Sequence, residues 1–111
     1  MELKNYFPGD ELVLEDLGDG VKRKITAYHE NLMCVEVHFE KGAVGALHSH
    51  PHEQITYIVS GEFEFSIGGV KKILKAGDST FKQPGIEHGA VCLKAGMLLD
   101  IFTPCREDFL K

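Results

Sequence analysis

Apolar side chains recur at every second position in short runs along this chain. Val35, Val37 and Phe39 share one face of such a run, and Cys34, Glu36 and His38 share the other. Phe63, Phe65 and Ile67 alternate in the same way with Glu62, Glu64 and Ser66. A period of two is what an extended strand needs to bury one face. Gly and Pro break the runs at intervals of roughly seven to twelve residues, the rhythm of a small antiparallel sandwich or barrel, and leave little room for a helix. The breaks include Pro8-Gly9, Gly18-Asp19-Gly20, Pro51, Gly61, Gly68-Gly69, Gly77-Asp78, Pro84-Gly85 and Pro104. The prediction is an all-β fold. Consecutive glycines in Ile67-Gly68-Gly69-Val70 supply the positive φ of a two-residue hairpin, so 62–75 reads as one paired ribbon. Phe63, Phe65, Phe81 and Tyr57 are expected in the core, and 106–110 is the one place left for a helical turn.

At 111 residues, 43% hydrophobic and 26% charged, the chain has the size and composition of one globular domain, spanning 1–111. No apolar run reaches the roughly 18 residues of a membrane span, and Met1 to Phe7 carries charges where a signal peptide needs an apolar stretch. A net charge of −5 without a basic cluster argues against nucleic acid as a partner. Cys34, Cys92 and Cys105 are too few and too scattered for a disulfide framework, which fits a reducing cytoplasm; Cys92 reads as a buried, inert thiol.

Six histidines in so short a chain draw attention, because imidazole both ligates metals and titrates near neutral pH. His48 and His50 stand two apart, so on extended backbone both rings leave one face with Cα atoms about 7 Å apart. Gln54 begins a strand after the turn at Pro51 and offers a carbonyl oxygen to the same point. Downstream, the Pro84-Gly85 turn sets His88 at the start of another strand. Three imidazoles and one amide oxygen leave positions open on a bound ion, as a reactive rather than a closed site requires. His29, His38 and His52 are expected to be ordinary surface or hydrogen-bonded residues, with His52 solvated in the loop between ligand strands.

These segments resemble the paired motifs of the cupin superfamily, G-x5-H-x-H-x3,4-E-x6-G and G-x5-P-x-G-x2-H-x3-N. His48, His50 and Gly61 meet the first motif, with Gln54 at the carboxylate position. Gly77, Gly85 and His88 meet the second, with Pro84 displaced by one and Cys92 in place of Asn. The resemblance implies a jelly-roll (double-stranded β-helix) barrel, usually dimeric, holding one divalent metal. A nearer resemblance is to pectin-degradation cupins of the KdgF type. It is carried by 18–25, Glu30-Asn31-Leu32-Met33, His48-Ser49-His50-Pro51-His52-Glu53-Gln54 and 99–110. In that family glutamine is the norm at position 54, and the active-site Asp, Phe and Arg fall on Asp100, Phe102 and Arg106. The resemblance implies opening of 4,5-unsaturated monouronates to linear 4-deoxy-5-hexosulose uronate. It also implies a homodimer, to which the strand near Leu12-Val13-Leu14 is a possible contributor.

The residues themselves favour such a guest. Three neutral imidazoles and an amide leave the full charge of a divalent ion uncompensated, which suits an anionic sugar acid. Leu98, Asp100 and Phe102 share parity, which places Asp100 inside; its alternative is a strand-edge carboxylate facing water. A buried carboxylate is costly unless it is hydrogen-bonded, metal-linked or functional. Arg106 has the planar fork for a substrate carboxylate, or else for a surface salt bridge with Glu107 or Asp108. The donor set suits zinc, nickel, iron or manganese alike. Rival readings of the same residues are a non-catalytic sugar-acid-binding cupin, a metal-dependent dioxygenase and a structural zinc barrel.

Overall fold

The computed structural model covers residues 1–111. Ten strands follow a short 3-10 turn: β1 (Leu14–Gly18), β2 (Val21–His29), β3 (Leu32–Phe39), β4 (Val44–His48), β5 (Glu53–Ile58), β6 (Glu62–Ile67), β7 (Val70–Lys75), β8 (Ser79–Lys82), β9 (His88–Lys94) and β10 (Gly96–Thr103). A second 3-10 turn, Glu107–Leu110, occupies the tail where a helical turn was expected. The strands form two antiparallel sheets, ordered β1-β2-β3-β10-β5-β8 and β4-β9-β6-β7. From β3 onward the chain crosses between the sheets at nearly every connection, which is the jelly-roll path. The expected ribbon is β6 with β7, paired from Glu62↔Lys75 to Ile67↔Val70. Its turn residues Gly68 and Gly69 have φ of 55° and 82°, which L side chains rarely adopt.

The core lies between the sheets in two clusters. Phe39, Ala43, Ile58, Phe63, Phe65, Cys92 and Leu98 form one, and Met33, Val35, Phe102 and Cys105 the other. Residues of both clusters wall a cavity that occupies the space between them. Phe63 and Phe65 are buried as expected; Tyr57 and Phe81 are exposed, against expectation. The reason is a reversal of the usual alternation. On β5 the buried residues are Gln54, Thr56 and Ile58, and on β8 the buried one is Lys82. Polar groups line the cavity, so apolar neighbours of opposite parity, Ile55, Tyr57 and Phe81, face outward. Gln54 and Tyr57 cannot both point inward from one strand.

β4 and β9 carry His48 and His88 opposite each other, with a register irregularity between Gly45 and His48. Bulges of this kind re-aim side chains beside functional sites. Close approach of the two backbones depends on Gly89, where an added Cβ would stand 2.7 Å from the Gly45 carbonyl oxygen. Gly89→Ala forces rigid backbone apart and should cost about 1–3 kcal/mol of stability. Denaturant unfolding checks this; an unshifted midpoint would show that the strands separate without strain.

Candidate active site

Three of the four expected metal ligands converge at one end of the cavity. His48, His50 and His88 bring ring nitrogens within 4.8 Å of one another. Only His48 and His88 stand on strands. His50 lies beyond the end of β4, so its ring reaches the others from loop backbone rather than from the continuous strand expected; its carbonyl is held by the Gly85 N–H at 2.9 Å. Backbone carbonyls orient two of the rings: His48 Nδ1 is 2.8 Å from the Ala46 oxygen, and His88 Nδ1 is 3.0 Å from that of Ile86. With Nδ1–H donating, each ring presents the Nε2 lone pair, the arrangement a metal ligand needs. His88 Nε2 is buried without any hydrogen-bond partner. Gln54 joins the group, with Oε1 2.9 Å from His50 Nε2. Burial pushes the His88 ring down to about 4 and lowers His50 as well, although Gln54 opposes the shift at His50. Both imidazoles are therefore neutral at pH 7. An orphaned buried nitrogen beside two further imidazoles fits a divalent ion, and His48, His50, His88 and Gln54 would hold it.

A polar network adjoins the triad. The Thr56 hydroxyl donates to Asp100 Oδ1 at 2.6 Å and accepts from Lys82 Nζ at 2.6 Å and Gln54 Nε2 at 3.2 Å. One proton and two lone pairs are thereby fully used. Asp100 lies in the cavity wall on β10, in register with Thr56. Lys82 is almost entirely buried, also bonds Thr80 at 3.0 Å, and has no carboxylate in direct ion-pair contact. Burial lowers its pKa, and the charge of Asp100 partly restores it.

Beside the triad, Phe102 stacks edge-to-face on His50 at 5.7 Å and on Phe109 at 5.7 Å. Arg106 covers Phe102 and Phe109, its guanidinium carbon 5.1 and 4.2 Å from the ring centres. Its Nε and Nη2 grip Asp108 at 3.0 and 2.9 Å, which holds that carboxyl below the usual range. The bidentate edge expected to meet a substrate is thus turned to Asp108. The cavity, about 250 Å³, is walled by three cationic side chains, Arg23, Lys82 and Arg106, against the single carboxylate Asp100.

Residues 35–102 match the cupin domain family. Over 110 residues the chain is 48% identical to the pectin degradation protein KdgF of Dickeya dadantii (strain 3937), covering 97% of this chain and all of that protein. This is a KdgF-type cupin. Its fold superposes on that of KdgF from a Halomonas species with a TM-score of 0.91 and 38% identity, covering 96% of this chain and 99% of the other. It superposes equally well on an RmlC-like cupin from Shewanella frigidimarina, with a TM-score of 0.92, 45% identity and coverage of 98% and 99%. In this KdgF-type cupin, His29 and His38 lie away from the triad, bonded to the Met1 carbonyl and to Glu36. His52 departs from its expected solvated state: it is half-buried, with its ring 5.4 Å from His50 and 6.3 Å from Phe102.

Sequence reasoning did not find Arg23 or Lys82. Arg23 breaks an apolar parity, since Val21, Arg23 and Ile25 share the inward face of β2, whereas Lys82 shares that of β8 with the polar Thr80. A cation between two apolar residues of the same parity is the signal that could have found Arg23; no such signal marks Lys82.

Proposed function

We propose that this chain opens the ring of 4,5-unsaturated monouronates from pectin or alginate breakdown, giving linear 4-deoxy-5-hexosulose uronate. The observation that carries the proposal is one carboxylate, Asp100, held in a cation-walled cavity beside three converging imidazoles. A divalent ion at His48, His50, Gln54 and His88, of zinc, nickel, iron or manganese, supplies Lewis acidity toward the uronate oxygens when bound. Asp100 moves the proton: C4 of the enol ether gains one, water adds at C5, and the resulting hemiketal breaks its C5–O5 bond to leave the C5 ketone. The water oxygen becomes the ketone oxygen, and the ring oxygen departs as a second hydroxyl on C1, leaving a hydrate that releases one water to become the C1 aldehyde. Phe102 and Arg106 flank the guest, and the apolar body of Phe102 keeps bulk water from the ring.

The similarity to KdgF supports this reading, as does a cavity matched in size and charge to one sugar acid. The chain acts as one domain over 1–111. A homodimer would bury the exposed Ile55, Tyr57 and Phe81 on the outer face of the six-stranded sheet. No helix of the chain is long and apolar enough to cross a membrane. Purified protein mixed with lyase-generated unsaturated monouronate should speed loss of the ultraviolet absorbance of the C4=C5 bond well above the spontaneous rate, without oxygen uptake. Loss at the spontaneous rate alone would reduce the protein to a sugar-acid binder, and stoichiometric oxygen consumption would replace ring opening with oxidation.

A further inference from the structure

Of the three cations in the cavity wall, two have no buried nitrogen without a partner. Lys82 gives protons to Thr56 and Thr80, and Arg106 turns Nε and Nη2 to Asp108. Arg23 differs. It sits opposite Val37 on the inward face of β2, and its guanidinium carbon lies 4.1 Å from the centre of the Phe109 ring. Its Nη2 donates to Glu15 Oε2 at 3.2 Å, whereas its Nε is buried with no acceptor at all. A buried N–H without an acceptor is uncommon in a folded protein and invites a ligand where the group lines a cavity. Fixation by Glu15 at one corner and Phe109 across the plane leaves little conformational freedom to lose on binding.

We propose that Arg23 is the residue that recognises the carboxylate of the sugar acid, through an N–H···O⁻ bond from Nε. This rests on the uronate reading given above and adds to it the end of the cavity at which the acid group lies: at the β2 wall, with the C4=C5 bond directed to Asp100. A charge-assisted bond of this sort is short and strong, and a neutral ester oxygen in the same place is a much poorer acceptor. Preference for the acid over its ester therefore has its origin at Arg23.

The test compares unsaturated monouronate with its methyl ester. Wild-type protein should prefer the acid in kcat/KM by roughly 10- to 100-fold, mostly through KM. Arg23→Gln should bring that preference to within about threefold. Arg23→Lys keeps a cation for Glu15 and loses the Nε–H, so its preference should fall between the two. Loss of a strand contact alone would lower both substrates together and leave the ratio unmoved. Wild-type indifference between acid and ester, or a variant that keeps the full wild-type ratio, would overturn the assignment. If the wild type opens neither compound, the ring-opening reading fails instead. Calorimetry with saturated D-galacturonate then decides the Arg23 contact by itself: equal affinity in wild type and both variants rejects it.

Discussion

His88→Ala protein will hold at least roughly 100-fold less tightly any divalent ion that the wild type retains, and its opening of unsaturated uronate will fall to the spontaneous rate. The ring lost is the most buried of the triad, with Nδ1 fixed by the Ile86 carbonyl and Nε2 left without another partner. His48 and His50 remain, but two imidazoles and an amide cannot close around the ion as four donors do. Chelator competition followed by elemental analysis measures the effect; equal metal content in variant and wild type would remove His88 from the ligand set. A pH dependence accompanies it. In the metal-free wild type His88 titrates at about 4, below its ordinary 6.5, so the unfolded chain takes up its proton first as pH falls. The stability contributed by the neutral ring is present above about 6.5 and is lost as pH drops toward about 4. His88→Ala should flatten that part of the stability profile, measured by denaturant unfolding.

Asp100→Asn should keep its metal and lose turnover by about 10²- to 10⁴-fold, the range that a positioned acid–base group supplies. An asparagine oxygen can still accept from Thr56, so the shape of the cavity wall is preserved while the proton carrier is gone. Lys82 then remains buried without the negative charge that now faces it, and a modest fall in melting temperature should accompany the kinetic loss. Turnover equal to wild type at equal metal content would place the proton transfer elsewhere.

The fold was legible because most strands obey simple alternation: Val35, Val37 and Phe39, and Phe63 and Phe65, signal the inner faces of β3 and β6 without help from neighbours. The triad was legible because histidine is uncommon enough that two histidine-bearing turns at the right separation stand out. β5 was misread in part, since Ile55 and Tyr57 carry the apolar residues of that strand and yet face solvent. The inner face there is chosen by what the cavity requires, and alternation alone cannot show which parity is dry. Arg23 and Lys82 escaped for a related reason. A cation in a strand usually belongs to the solvated face, the more so when it stands between Lys22 and Lys24 as Arg23 does, and the register Arg23↔Val37 and Gln54↔Lys82 reveals that these two do not. His50 reached the triad from a loop, a geometry that spacing arguments built on extended backbone do not contain.

The single hydroxyl of Thr56 has a wider consequence. Lysine can only donate, and the Gln54 amide turns its nitrogen toward the same oxygen, so the one proton of Thr56 is directed to Asp100 and the Gln54 carbonyl to the imidazoles. The orientation of the amide and the hydrogen bond received by the acid are therefore set by one atom. Anyone redesigning position 54 to accept a different ion would, in the same stroke, be retuning the proton donor some distance away, and directed evolution of either should return paired substitutions at 56 or 82.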